Sequence, residues 1–186
     1  MSFCWTARRA CTSRSGICEE PLTLDVGIAE PDSAGELAAL AAQTFPLACP
    51  PATPAEDVAS FIDSTLSATR FAEYLADPRR AVFLARHDGR IVGYAMLIRG
   101  SDGEAELSKI YVLEDFHGTG PAAALMDAAL ATAADWGAHR IWLGVNQENE
   151  RAQRFYVKSG FTINGTRTFR VGARDENDYV MARELP

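Results

Sequence analysis

A phenol, an amide and a small side chain fall on one stripe in the segment from Val145 to Phe161. Asn149 and Tyr156 are seven residues apart. At about 100° per residue that spacing stops roughly 20° short of two helical turns, so both project to one side of a helix. Ala152 lies between them and is small enough for a ligand to approach, while Phe155 can turn into a core. A tyrosine on such a stripe can donate a proton to a departing group. It can equally be a core tyrosine with a satisfied hydroxyl. A second candidate is the turn His117-Gly118-Thr119-Gly120-Pro121-Ala122, which follows the run Leu107 to Phe116 and opens a helix. Unpaired backbone N–H groups and the helix dipole can hold a phosphate there, and glycine lets the oxygens come close. Glycines before a helix also occur as simple caps. A nucleotide P-loop needs Gly-Lys-Ser/Thr, and a dinucleotide fold needs GxGxxG at the start of a βαβ unit; neither pattern is present.

These residues need strands and helices to hold them. Leu22 to Ile28 alternates as a first strand, and Pro31-Asp32-Ser33 starts a helix that ends near Phe45-Pro46. Helical patterns follow at 55–66 and 69–77, after a proline-rich loop over Cys49 to Pro54. Ala81–Arg86 and Ile91–Ile98 flank His87-Asp88-Gly89-Arg90, a good hairpin signal, and Glu104–Leu113 extends them into a meander. A long alanine-rich helix runs from Gly120 to Trp136 and stops at Gly137. A buried strand over Arg140–Val145, a helix over Glu148–Lys158, and strands over Phe161–Val171 and 177–184 complete the order β-α-α-α-β-β-β-α-β-α-β-β.

At 186 residues, with 47% hydrophobic and 23% charged residues, the chain reads as one soluble domain of ordinary size. The formal charge is −7, yet residues 1–18 carry three arginines and no acid, leaving 15 basic against 25 acidic residues in the remainder. An acidic body repels nucleic acid and favours a cationic partner, although acidity for solubility alone produces the same balance. No run approaches the roughly 18 apolar residues of a membrane span. Residues 1–20 read as a disordered extension, with an organellar targeting segment as the alternative, and residues 21–186 as the folded domain. Cys4, Cys11, Cys18 and Cys49 lack metal-site spacing, so no metal is expected, and reduced thiols in a cytoplasm fit them best.

The two chemical segments, taken together and in this order, resemble the motifs of the Gcn5-related N-acetyltransferase (GNAT) superfamily. One is the cofactor loop Arg/Gln-x-x-Gly-x-Gly/Ala, and the other is the Asn-x-x-Ala-x-x-x-Tyr helix ending in Gly-Phe. The likeness covers residues 22–184. Glu106 to Val112 and Gly165 to Gly172 are further similar to the bacterial spermidine/spermine (PaiA-like) branch. The resemblance implies an α/β (α+β) fold with a mixed, mostly antiparallel sheet of about seven strands flanked by helices, and acetyl-CoA as cosubstrate. Ile110, Tyr111 and Val112 would splay from the neighbouring strand and offer backbone groups to the acetyl and pantetheine arm. His117, Gly118, Thr119, Gly120, Pro121 and Ala122 would hold the pyrophosphate. Asn149, with Ala152 beside it, would meet the pantetheine chain, and Tyr156 would give a proton to the departing thiolate.

Two departures stand out. His117 occupies the usual Arg/Gln position, which would make its contribution pH-dependent, and Pro121 has no N–H, so the cradle has one donor fewer. On a regular strand Glu106, Ser108, Ile110 and Val112 share a face. That puts Glu106 in place to take the amine proton, directly or through water, or else to pair with Lys109 or a hairpin neighbour. The acceptor expected is a small cationic amine such as a polyamine, with Glu56, Asp57, Asp63 and Glu73 as acids that could attract it. Alternatives are a protein lysine or N-terminal amine, an amine-bearing antibiotic, and an acyl-CoA sensor without turnover. A homodimer is an expectation of the resemblance alone.

Overall fold

A computed structural model describes residues 23–171 and 174–186, so the arginine-rich opening segment lies outside the described residues. One seven-stranded sheet organises the chain, in the order β1-β2-β3-β4-β5-β7-β6. The strands are β1 (Leu24–Ile28), β2 (Arg80–His87), β3 (Arg90–Arg99), β4 (Glu104–Val112), β5 (Arg140–Asn146), β6 (Thr162–Val171) and β7 (Arg174–Glu184). All neighbours are antiparallel except β4 and β5. A parallel pair needs a crossover, and helix α4 (Pro121–Asp135) supplies it. Helices α1 (Ala34–Thr44), α2 (Ala55–Thr65) and α3 (Ala68–Ala76) precede the meander, and α5 (Glu150–Lys158) joins β5 to β6. The fold is the mixed α/β architecture expected, with β7 beginning three residues earlier than its sequence pattern.

The two sheet faces carry separate cores. Leu125, Met126, Ala129 and Ala133 of α4 pack with Ala105, Leu107, Ile141 and Leu143 on one face. Leu37, Leu40 and Phe71 of α1 and α3 pack with Val82, Leu84, Tyr94 and Met96 on the other. β3 is central and covered on both sides, which explains its unbroken apolar run Ile91 to Ile98 where alternation would mark a half-exposed strand. The β2–β3 hairpin turns on Asp88 and Gly89, with φ of 50° and 77°, as the primed two-residue turn requires.

A bulge in β4 decides what the cleft beyond it contains. Met96 faces Lys109 and Leu97 faces Leu107, so Ser108 is the extra residue. Before it, Ala105 and Leu107 point to the α4 side. After it, Ile110 and Val112 do so, and Lys109 and Tyr111 take the α1–α3 side. The regular alternation expected from sequence is therefore broken: Glu106 shares its face with Lys109 and Tyr111, not with Ile110 and Val112. Among the described residues no helix is long and apolar enough to cross a membrane.

Candidate active site

β4 and β5 are in register for only three pairs, from Glu104↔Arg140 to Glu106↔Trp142. Beyond Glu106 the two strands run on to Val112 and Asn146 without pairing, and a cleft of about 430 Å³ opens between them. That volume suits a ligand arm and a small second substrate. Every strand residue assigned by sequence lines it: Glu106, Ile110, Tyr111 and Val112. Asn149, Ala152 and Tyr156 line it from α5, and His117, Gly118 and Ala122 from the loop.

The loop is a one-turn 3-10 segment, Glu114–Phe116, followed by two glycines in left-handed conformation, Gly118 at φ 79° and Gly120 at φ 116°. Thr119 does not line the cleft; its N–H and its hydroxyl both donate to the Phe116 carbonyl, so it is spent on the turn. Pro121 sits buried at the first position of α4, where its missing N–H costs the helix nothing. Among the described residues the N–H groups of Gly118, Gly120, Ala122 and Ala123 have no acceptor. Such a cluster of bare donors at a helix start is the feature an anion needs.

His117 is engaged at both ring nitrogens. Nε2 lies 3.0 Å from the Val112 carbonyl, and Nδ1 lies 2.6 Å from Nη1 of Arg151. A carbonyl only accepts and a guanidinium only donates, so Nε2 carries the proton and Nδ1 receives one. The ring is thus a strut between β4 and α5. Asn149 caps α5 by accepting from the Ala152 N–H at 3.1 Å, which leaves its amide N–H₂ toward the cleft. Tyr156 is buried, 5.5 Å from the Phe155 ring and 6.1 Å from Phe161, and its hydroxyl has no partner among the described residues. Burial, with the charge of Asp178 adding to it, pushes the phenol above the usual tyrosine range. A phenol so held remains protonated, as a donor must.

The opposite end of the cleft is made of charged side chains from distant strands. Arg167 on β6 lies 3.3 Å from Asp178 on β7 and 3.8 Å from Glu106 on β4, with its guanidinium over the Trp142 ring. It can lie there because residue 144 has no side chain: a Cβ on Gly144 would fall 2.1 Å from Arg167 Nη2. Asp178 is almost wholly buried, and burial raises its carboxyl above the ordinary value against the pull of Arg167. Glu176 reaches the same cleft and accepts from Asn146 at 3.4 Å. Glu106 therefore pairs with Arg167, whereas Lys109 places its ammonium 5.4 Å from the Tyr74 ring centroid, toward α3.

Phe45, just after α1, and Phe61 and Thr65 of α2 close this end, the two phenyl rings stacked at 4.5 Å. None of the four acids expected to attract an ammonium lines the cleft; Glu73 pairs with Arg70 on the surface of α3. The helical faces there are apolar inward, and Glu56, Asp63 and Glu73 are exposed. The acids that do converge are Glu106, Glu176 and Asp178.

The fold has its counterpart in known proteins. A family description, Acetyltransferase (GNAT) family, matches residues 42–161. The chain belongs to the GNAT acetyltransferase family. It is thereby an acyltransferase of the N-acetyltransferase type, as its relatives are named. A Mycobacterium tuberculosis (strain ATCC 25618 / H37Rv) protein named as an uncharacterized N-acetyltransferase is 73% identical over 152 residues, 82% of this chain and 97% of that protein. Among solved structures, PaiA N-acetyltransferase of Thermoplasma acidophilum, in complex with coenzyme A, superposes with a TM-score of 0.77. It is 16% identical over 88% of this chain and 99% of that one, which shows a shared fold. Nourseothricin acetyltransferase is 30% identical over 59% of this chain and 68% of its own, with a TM-score of 0.56.

Within this GNAT protein, the residues that sequence reasoning missed are Arg151, Gly144, Glu176 and Asp178, and for Arg167 it missed the role. Gly144 carried a signal, a glycine in the middle of a strand, which marks a close approach of another group. The others carried none.

Proposed function

We propose that this acyltransferase moves an acetyl group from acetyl-CoA to a primary amine, and that the amine belongs to a small cation such as a polyamine. The observation that carries the proposal is the convergence of Glu106, Glu176 and Asp178 on the cleft at the end opposite the bare amides of Gly118 and Ala122. An anionic arm suits the amide end, and a protonated amine suits the carboxylate end.

The residues present fit the cosubstrate. The bare N–H groups of Gly118 and Ala122 at the cleft, with those of Gly120 and Ala123 beside them, would hold its phosphates, one donor fewer than a loop without Pro121. The unpaired edge of β4 at Ile110 and Tyr111 offers backbone groups to the acetyl and pantetheine arm, with Asn149 and Ala152 facing it from α5. The Val112 carbonyl already accepts one hydrogen bond from His117, and its second lone pair stays available at the edge. What acetyl-CoA supplies is an acetyl group activated on sulfur.

The protein's own groups then have three tasks. The carboxylates gather the ammonium and orient it. Glu106 removes one proton from the amine so that a nitrogen lone pair is free. Tyr156 holds its phenolic proton at Oη and delivers it to the departing sulfur. Most of the rate comes from positioning, with a modest acid–base share.

The test is release of free thiol from acetyl-CoA over a panel containing spermidine, spermine and lysine peptides, together with calorimetry of cosubstrate binding. Turnover highest with the small polyamines is the expected result. Preference for lysine peptides would make the acceptor a protein. Binding without thiol release for any amine would leave an acyl-CoA sensor.

A further inference from the structure

We propose that Arg151 is the cation that grips a phosphate of the cosubstrate, and that His117 is the positioning residue that holds it there. The inference rests on the acetyl-CoA reading of the cleft. From Val112 to Ala124 the loop and the start of α4 contain no lysine or arginine, but they do contain Glu114 and Asp115. The cradle itself thus offers only backbone dipoles, and Pro121 removes one of them. Full positive charge reaches it only from elsewhere, and the residue that brings it is Arg151, from the first turn of α5.

Arg151, His117, Gly118 and Ala122 line the same cleft. The Arg151 guanidinium donates to His117 Nδ1 at 2.6 Å, and the far side of the ring is fixed by the Val112 carbonyl at 3.0 Å. A neutral imidazole acceptor orients the guanidinium without cancelling its charge. One N–H is used, and the rest of the fork remains for a ligand with anionic oxygens. Arg154, in the next turn, has a different fate: it pairs with Glu150 at 3.1 Å. Among the described residues no carboxylate pairs with Arg151.

Its place in the helix points the same way. A cation in the first turn stands at the positive end of the helix dipole, where it opposes helix stability. α5 nonetheless carries Arg151 there, and the Asn149 cap fixes the turn. Anchored phosphate is the partner that reconciles an arginine with two helix starts, those of α4 and α5, meeting at one mouth. The structure thereby accounts for His117 at the usual Arg/Gln position: the charge has moved to α5, and the histidine carries it by a hydrogen bond.

Calorimetry with coenzyme A, and initial rates with acetyl-CoA and with S-acetylpantetheine, test this. Arg151→Ala should weaken coenzyme A binding by about tenfold, the scale of one charge-assisted contact at a solvent-reached site, and raise KM for acetyl-CoA without lowering kcat. With S-acetylpantetheine, which has no nucleotide phosphates, the variant should match the wild type. Placing the cation back in the loop by His117→Arg in the Arg151→Ala background should recover most of the affinity. A loss seen with coenzyme A and with 3′-dephospho-coenzyme A assigns the pyrophosphate; a loss seen with coenzyme A alone assigns the 3′-phosphate. Unchanged coenzyme A affinity in Arg151→Ala would overturn the inference, and so would an equal loss with S-acetylpantetheine. A wild-type protein that binds no coenzyme A would instead overturn the reading of the cleft as a whole.

Discussion

The two ends of the cleft are built on different plans. The amide end is made mostly of backbone, contributed by one continuous stretch from Ile110 through the start of α4, with α5 laid beside it. The carboxylate end is made of side chains from β4, β6 and β7, residues 106, 167, 176 and 178, brought together only by strand register. Backbone donors tolerate changes of side chain, whereas an Arg167 set between Glu106 and Asp178 over Gly144 depends on each of its members. A scaffold of this kind can keep one substrate constant while the other varies.

The largest effect should come at the point where the two ends meet. Tyr156→Phe removes a hydroxyl without a protein partner, so stability should hold while kcat falls by about 100-fold, the lower range for loss of a positioned acid. KM for acetyl-CoA should stay within error of wild type. An unchanged kcat in the thiol-release assay would assign the proton to solvent. Next, Glu106→Gln should lower kcat/KM for the amine by about tenfold at neutral pH and converge on wild type as pH rises through the pKa of the amine, where no base is needed. A ratio constant across that range would remove the base role.

Gly144→Ala separates the two ends. The new methyl must displace the Arg167 guanidinium, the far end of a flexible side chain, so the fold should survive with a loss of about 1–2 kcal/mol. KM for the amine should rise several-fold, and KM for acetyl-CoA should not move. Equal shifts in both would show that the ends are not independent.

The smallest effect concerns Lys109. Burial chiefly, with Arg80 and Arg70 adding and Glu106 opposing, pushes its ammonium down to about 8 from the ordinary 10.5. The unfolded chain holds the proton more tightly, so keeping Lys109 charged costs stability below pH 8, and the cost fades between pH 8 and 10.5. Lys109→Met should therefore gain roughly 1 kcal/mol at neutral pH, after allowance for partial solvent access, and nothing above pH 10.5. A denaturation series over pH checks the slope.

The same contrast explains what the sequence could show. The Asp88-Gly89 hairpin, the alanine-rich α4 and the Asn149-to-Tyr156 stripe are local patterns, and each appears where its spacing put it. The strand and loop residues assigned to the amide end belong to one continuous stretch from Ile110 to Ala122, and all but Thr119, Gly120 and Pro121 reach the cleft, where Asn149, Ala152 and Tyr156 of the α5 stripe meet them. The Ser108 bulge was invisible, because the side-chain period of β4 is decided by how β3 aligns against it. The carboxylates that line the cleft lie on β4 and β7, not on α2 and α3, and nothing in the local pattern of Arg167 or Asp178 says that they meet. The strut from His117 to Arg151 spans 34 residues and follows from tertiary packing alone.

The three-pair seam between β4 and β5 also bears on how the molecule comes apart. Strands β2 to β4 form a meander with β1 on its outer edge, and β5 to β7 form a second group, joined to it in the sheet by that short edge and beneath it by the core under α4. Amides beside that short edge should exchange with solvent sooner than those in the centre of either group of strands. A cosubstrate lying in the cleft touches both groups at once. Its binding energy then acts as cohesion between them, and the liganded protein should unfold as one cooperative body where the free protein breathes along the seam.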